Sequence, residues 1–119
     1  MQNKPLLSAS SLCSDSVRNA QGEDLGSIKD LMVDVTTGDV EYAVLSFGGV
    51  FGIGDKYFAV PWQALKVDQI EKCLILDVSK DRLKDAPGFD KDNWPNMADA
   101  QFRDSIYGHY GIEQRRRAA

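Results

Sequence analysis

The amino-acid sequence predicts an all-β fold: a small antiparallel β-barrel of about six strands, followed by a C-terminal tail that contains a short helix. Between residues 16 and 78, short apolar runs alternate with turn residues at close spacing. The β-α-β alternation typical of parallel sheets is missing from this pattern. After residue 89 the apolar residues change to helical spacing, so we divide the chain into a barrel domain, 1–89, and a tail, 90–119.

The longest predicted strand runs from Leu25 to Thr36. Leu31 and Val33 share one parity of this strand, as expected for a half-buried surface, whereas Ile28 has the opposite parity. A strand brings such residues to one face only where it gains an extra residue. We therefore predict a β-bulge near Lys29-Asp30.

The next strand, from Val40 to Phe47, is predicted to be central in the sheet. It follows a hairpin turn at residues 36–39, in which Gly38 supplies the positive φ that such turns require. Both parities of the strand are apolar, with Tyr42 and Val44 on one face and alanine, leucine and phenylalanine on the other. This pattern is typical of a strand that is covered on both sides.

The rest of the barrel is predicted from shorter signals. Ser79 is a helix N-cap residue and Pro87 a helix stop. Cys73, in an apolar strand, is predicted to be a buried small hydrophobe. The expected elements are strands at 16–19, 56–60, 66–68 and 73–78, a helical turn at 62–65 and a short helix at 80–85.

The tail is predicted to contain a helix that ends at Gly111. Its apolar residues recur every four positions and form one stripe. We expect a frayed, basic end beyond residue 114. The stripe consists of Ala98, Phe102, Ile106 and Tyr110.

The composition excludes several classes of function. The net charge is −4 and the isoelectric point is about 4.9, so nucleic acid is not an expected partner. One histidine and two cysteines cannot supply a metal site or a catalytic triad that needs several of them. We therefore expect no catalytic residue, no metal and no cofactor, and we predict that the protein is not an enzyme.

The sequence favours a cytoplasmic location. No apolar run approaches the roughly 20 residues of a membrane-spanning helix, and the N-terminus has no long apolar stretch typical of a secretory signal. Cys13 and Cys73 lie far apart without a C-x-x-C pair, which favours two thiols in a reducing compartment.

The ordered series of these segments resembles the PRC-barrel family. The similarity covers Leu6 to Phe89, and although no single piece is distinctive, the order is specific. It is carried by Val17-Arg18-Asn19, by Gly22 to Leu31, by Gly38 to Ser46, by Val60-Pro61-Trp62 and by Leu83 to Phe89.

The resemblance implies a barrel fold and a class of activity, but no site. The family includes the cytoplasmic domain of the photosynthetic reaction centre H subunit and the C-terminal domain of a ribosome maturation factor. The tail from Ile106 to Gly111 is similar to aromatic tails of free-standing bacterial members. Those members look like small adaptor or stress-associated proteins without a known reaction, which implies a protein-interaction module.

The glycine-dense loop after the central strand does not match a phosphate-binding motif. A phosphate loop needs lysine directly after its last glycine and then a hydroxyl residue, whereas Asp55 intervenes here and Tyr57 follows the lysine. The loop does carry three apolar residues that a flexible turn cannot bury by strand alternation. They are Val50, Phe51 and Ile53.

Two further motifs are best interpreted as non-functional. His109 has no acidic partner at a fixed spacing, so we predict a surface or tail-packing histidine. Asp90 to Trp94 begins like a calcium loop, but the EF-hand pattern fails at Trp94, at Pro95 and at Gln101.

The leading hypothesis is a non-enzymatic module without a membrane span that binds another copy of itself, as a homodimer. Another protein is the further partner that the sequence allows. Whether the tail covers its own barrel or a second copy stays open. The alternatives are a ligand-binding or enzymatic barrel mouth, a ribosome- or RNA-associated factor, and a photosynthetic accessory protein. The candidate interaction residues are Val50, Phe51, Ile53, Trp62, Trp94, Phe102, Ile106 and Tyr110.

Overall fold

A computed structural model describes residues 6–14, 16–48, 55–90 and 92–112. Within these ranges the chain forms three short helices, seven strands and one turn of 3-10 helix at Trp62–Ala64. The helices are α1 (Ala9–Ser14), α2 (Lys80–Lys84) and α3 (Ala100–Tyr110). The strands are β1 (Ser16–Arg18), β2 (Asp24–Val33), β3 (Val40–Gly48), β4 (Asp55–Pro61), β5 (Leu65–Asp68), β6 (Cys73–Leu76) and β7 (Gly88–Asp90).

The seven strands form one mixed sheet in the order β5-β6-β1-β2-β3-β4-β7. The prediction of about six antiparallel strands is therefore only partly right, since β1 and β6 pair in parallel. Within the described ranges no ladder joins β5 to β7, so closure of the sheet into a barrel is not observed. β7 was not predicted, because Gly88-Phe89-Asp90 has loop-like composition and becomes a strand only through its pairing with β4.

The predicted bulge in β2 is confirmed. Ile28 lies opposite Leu45 and Asp30 lies opposite Val44, so Lys29 is the extra residue. The bulge brings Ile28 and Leu31 to the same, inner face of the sheet, where both contact one apolar cluster.

The prediction for β3 as a central strand with two covered faces is also confirmed. β3 lies between β2 and β4, and four successive residues, 42–45, are buried. Ala43 and Leu45 belong to an inner cluster with Val60, whereas Tyr42 and Val44 belong to an outer cluster. The sheet therefore needs a cover on its outer side.

Helix α3 supplies that cover. Ile106 and Tyr107 are buried against the outer face of the sheet. The helix begins where the Asp99 carboxylate accepts a hydrogen bond from the Phe102 N–H, and it ends at Gly111, whose φ of 67° is left-handed. The predicted stop at Gly111 is confirmed.

Several of the remaining short elements agree with the sequence-based expectations, although the strand expected at 73–78 ends at Leu76. The Ser79 hydroxyl accepts a hydrogen bond from the Arg82 N–H and so caps α2. Cys73 is buried, and the turn at residues 62–64 is a single turn of 3-10 helix. Helix α1, in a serine-rich segment without helical periodicity, was not predicted; its Leu12 reaches the inner cluster.

The position of Gly26 in β2 tolerates no side chain. Its φ is +124°, and an added Cβ would collide with the carbonyl oxygen of Ser46 in β3. We expect Gly26→Ala to lower the free energy of unfolding by about 2 kcal/mol or more. Gly38→Ala is the matched control: the φ of Gly38 is +82° with nothing near the added Cβ, so only about 1–2 kcal/mol of backbone strain is expected. Urea titrations would measure both, and equal losses would show that the Ser46 contact does not matter.

Candidate functional site

The outer face of the sheet carries a pocket of about 560 Å³ that α3 leaves uncovered. It lies between the end of the β2–β3 hairpin and the beginning of the helix. Two methionines, a valine and an alanine make its wall partly apolar, and two carboxylates, one guanidinium and one phenol add polar groups. The lining residues are Met32, Val33, Asp34, Glu41, Tyr42, Met97, Ala98 and Arg103.

Hydrogen bonds of the hairpin turn hold the strand side of the pocket in place. The backbone N–H of Asp34 donates to the carbonyl oxygen of Asp39 at 2.8 Å, and the N–H of Gly38 donates to the Asp34 carbonyl oxygen at 2.7 Å. The Asp34 carboxylate accepts a hydrogen bond from the N–H of Thr36 at 2.9 Å. These bonds place the Asp34 side chain at the rim.

An ion pair joins the helix to the strand across the pocket. Arg103 Nη1 lies 3.0 Å from Glu41 Oε2, and both side chains are mostly buried. The Tyr107 hydroxyl donates to the same carboxylate oxygen at 3.4 Å, and the guanidinium lies 5.3 Å from the Tyr107 ring centre. Partial burial strengthens such a pair beyond what a surface pair contributes, so it fixes α3 relative to β3.

Tyr42 lies beneath the helix in a strongly desolvated position. Its ring meets the Phe102 and Tyr107 rings edge-on at 5.9 and 6.1 Å. Among the described residues its buried hydroxyl has no hydrogen-bond partner. Desolvation raises the pKa of Tyr42 to about 12, and the positive charge of Arg103 opposes this rise. The phenol is therefore neutral at physiological pH and is unsuited to act as a base.

His109 is engaged in a structural contact. Its Nε2 lies 2.9 Å from the carbonyl oxygen of Arg82, which can only accept, so Nε2 carries the proton. In return the Arg82 guanidinium donates to the carbonyl oxygen of His109 at 2.6 Å. These reciprocal bonds join the end of α3 to α2. The described part of the chain contains no cluster of three or more potential metal ligands.

The structure separates the predicted interaction residues into different environments. Val50, Phe51 and Ile53 lie outside the described residues. Trp62 is half-buried against the inner cluster. Trp94 is 40% exposed and packs against Tyr57 and Phe89.

The helical stripe packs on the chain's own sheet. Ile106 has no exposed surface, and Phe102 and Tyr110 contact the outer cluster. Of the two alternatives that the sequence left open, the structure therefore has the tail on its own domain. This packing leaves Ile106 unavailable to a second copy.

Sequence reasoning missed the pocket. It forms only where the hairpin and the helix start meet, and the sequence does not give that distance. The available signal was the outward parity of Met32 and Tyr42 on neighbouring strands, together with Met97 just before the helix.

Comparison with protein families agrees with this architecture. A family model described as the PRC-barrel domain matches residues 5–83. The chain belongs to the PRC-barrel domain family, and the match ends within α2, before β7 and α3. No curated protein matches the sequence. In the described residues no helix has the length and apolarity needed to cross a membrane.

The buried phenol of Tyr42 makes stability depend on alkaline pH. Folding raises its pKa from 10.0 to about 12. The part of the unfolding free energy that is linked to keeping this phenol protonated is therefore fully present below pH 10 and is lost as the pH rises through 12. The pKa of Tyr110 is raised in the same direction by desolvation. We expect Tyr42→Phe to remove part, but not all, of the loss of unfolding free energy between pH 10 and 12, measured by urea titration at each pH.

At pH 7 the same substitution should be stabilising by about 1 kcal/mol, because it removes a buried hydroxyl that lacks a partner. Tyr107→Phe is the matched control. It deletes the hydrogen bond to Glu41 and should destabilise by about 1 kcal/mol. If Tyr42→Phe were destabilising at pH 7, the claim that the Tyr42 hydroxyl is buried without a hydrogen-bond partner would be wrong.

Proposed function

We propose that this PRC-barrel protein is a protein-interaction module that works without catalysing a reaction and that associates with a second copy of itself. Family membership supports a binding role, because the resemblance is to adaptor-like members. An open sheet edge that carries exposed apolar side chains supports self-association.

The chemistry of the described side chains favours binding over catalysis. The single histidine of the chain donates its Nε2 proton to the Arg82 carbonyl. The Glu41 carboxylate is held by Arg103, and the Tyr42 phenol is neutral. Among the described residues these groups are therefore held in structural contacts or kept neutral, which supports a binding role.

The edge strand β5 carries the proposal for self-association. In the described sheet β5 pairs with β6 and lies at the end of the strand order. Val67 on this strand is 37% exposed, and Ile70 in the following turn is 90% exposed. Exposed edges are a common route to pairing between chains. The surface proposed here replaces the helical stripe, because Ile106 is buried.

Antiparallel pairing of two β5 strands would be self-complementary. If Val67 of one copy lies opposite Val67 of the other, Lys66 of each copy lies opposite Asp68 of its partner. Opposite charges in directly facing positions stabilise an antiparallel pair. With a two-fold axis between the copies, both would use the same β5 surface, as in most soluble dimers.

Sedimentation velocity over a concentration series tests this proposal. The wild-type chain should shift from monomer to dimer as its concentration rises. Val67→Asp should weaken the dimer at least tenfold, because it places two carboxylates opposite each other and removes apolar contact. Val35→Asp is the matched control, because Val35 is 93% exposed but lies in the β2–β3 hairpin.

A wild-type chain that stays monomeric at every concentration would contradict self-association. A dimer that Val35→Asp weakens and Val67→Asp does not would contradict the β5 surface. Circular dichroism should show that both variants remain folded, since both positions are exposed.

A further inference from the structure

We infer that the pocket between the β2–β3 hairpin and α3 binds an uncharged small molecule that has an apolar body and an oxygen that accepts a hydrogen bond from the Tyr42 hydroxyl. This site lies on the outer face of the sheet and not at the β5 edge, so the inference goes beyond the proposed self-association. It rests on the buried hydroxyl of Tyr42, on the methionines beside it and on the volume of the pocket.

The hydroxyl of Tyr42 is the feature that points to a ligand. Tyr42 lines the pocket and is only 1% exposed, and among the described residues its hydroxyl has no hydrogen-bond partner. Buried polar groups are nearly always paired, because an unpaired one lowers stability. Phenylalanine would fill the same space without that loss, so packing alone does not account for the hydroxyl.

The state of this hydroxyl determines which ligand group it can bind. Burial raises the pKa of Tyr42, so the phenol keeps its proton and can donate it to an acceptor such as a ketone or ester oxygen. The charge of Arg103, which also lines the pocket, lowers the same pKa, which indicates that the hydroxyl end of the ring lies near that part of the wall. Folding has already removed water from this hydroxyl, so a ligand oxygen can bind it without displacing water from the phenol.

Two methionines can give a ligand access to the hydroxyl. Met32 lies directly opposite Tyr42 in the β2–β3 ladder, and Met97 is buried in the same outer cluster as Tyr42. Both methionines line the pocket. Methionine side chains are unbranched and change rotamer readily. A rotamer change of Met32 would open a path from the pocket to the hydroxyl while its methyl group still contacts the apolar body of the ligand.

The charged groups of the pocket wall favour an uncharged ligand. Arg103 pairs with Glu41 at 3.0 Å, and the Asp34 carboxylate accepts a hydrogen bond from the Thr36 N–H. An ionised ligand would compete with these contacts, whereas an uncharged ligand leaves them intact. The volume of about 560 Å³ lies within the range of roughly 300–1,000 Å³ that is typical of small-molecule pockets.

Nuclear magnetic resonance titration of protein with ¹³C-labelled methionine methyl groups provides the test. Acetophenone is the probe, and its addition should shift the methyl signals of Met32 and Met97. Ethylbenzene, in which a methylene replaces the carbonyl, should bind at least fivefold more weakly. Benzoate and benzylammonium should each bind at least tenfold more weakly than acetophenone. The inference is wrong if acetophenone shifts neither signal up to its solubility limit, or if any of the other three compounds binds as tightly.

A matched pair of substitutions tests the role of the hydroxyl. Tyr42→Phe should weaken acetophenone binding at least fivefold and leave ethylbenzene binding unchanged, because only the ketone uses the hydroxyl. Tyr110→Phe is the control. The Tyr110 hydroxyl is also buried without a partner among the described residues, but Tyr110 does not line the pocket, so the binding of both compounds should stay the same.

If Tyr42→Phe keeps the full preference for acetophenone over ethylbenzene, the hydroxyl does not bind the ligand and the inference is wrong. If Tyr110→Phe weakens acetophenone binding as much as Tyr42→Phe does, the inference is also wrong, because the loss does not come from the pocket. The result is separable from that of the proposed function, since Val67→Asp should bind acetophenone as tightly as the wild-type chain. A chain that never dimerises but binds acetophenone through Tyr42 would contradict self-association alone.

Discussion

The burial of β3 on both faces is the constraint on which the rest of this structure depends. A strand with Tyr42 and Val44 on one face and Ala43 and Leu45 on the other cannot be stable at a solvated surface, because both faces are apolar. The inner face packs into a shared cluster with residues of the other strands and of α1 and α2. The outer face requires a second layer, and the tail helix provides it.

Polar contacts fix the position of α3 on the outer face of the sheet, but the helix covers only part of that face. Apolar burial of Ile106 and Tyr107 provides the attraction, and directional contacts fix the helix at two places along its length. Near its beginning Arg103 binds Glu41 of β3, and at its end His109 and Arg82 exchange hydrogen bonds with α2. Met97 and Ala98, which precede the helix, line one side of the pocket, and residues of the hairpin line the other. The same packing that stabilises the sheet therefore creates the candidate binding site.

Local patterns in the sequence predicted much of the fold. The bulge at Lys29, the two-sided burial of β3 and the Ser79 cap depend on parity or on neighbouring residues, and these signals are contained in short segments. The parallel pairing of β1 with β6 joins segments more than fifty residues apart, and no local pattern encodes it. β7 has a single apolar residue, Phe89, so its strand character comes from β4.

The candidate site was harder to predict for the same reason. Three of the four residues of the predicted stripe pack on the sheet, whereas Ala98 precedes the helix and is exposed. The partner of the stripe could not be predicted, because an apolar stripe fits its own sheet and a second copy equally well. Asp34 and Arg103 were not singled out, since each resembles an ordinary surface charge until the hairpin and the helix are brought together. Pairing across more than sixty residues, as between Glu41 and Arg103, is a property of the assembled fold.

Hydrogen exchange of the α3 amides in dilute protein tests the central claim most directly. If the helix covers its own sheet, the amides from Arg103 to Tyr110 should be protected at low concentration, and their protection should not change on dilution. Fast exchange of these amides in dilute protein, with protection appearing only as the concentration rises, would contradict the account. That result would show that the helix covers the sheet of a second copy.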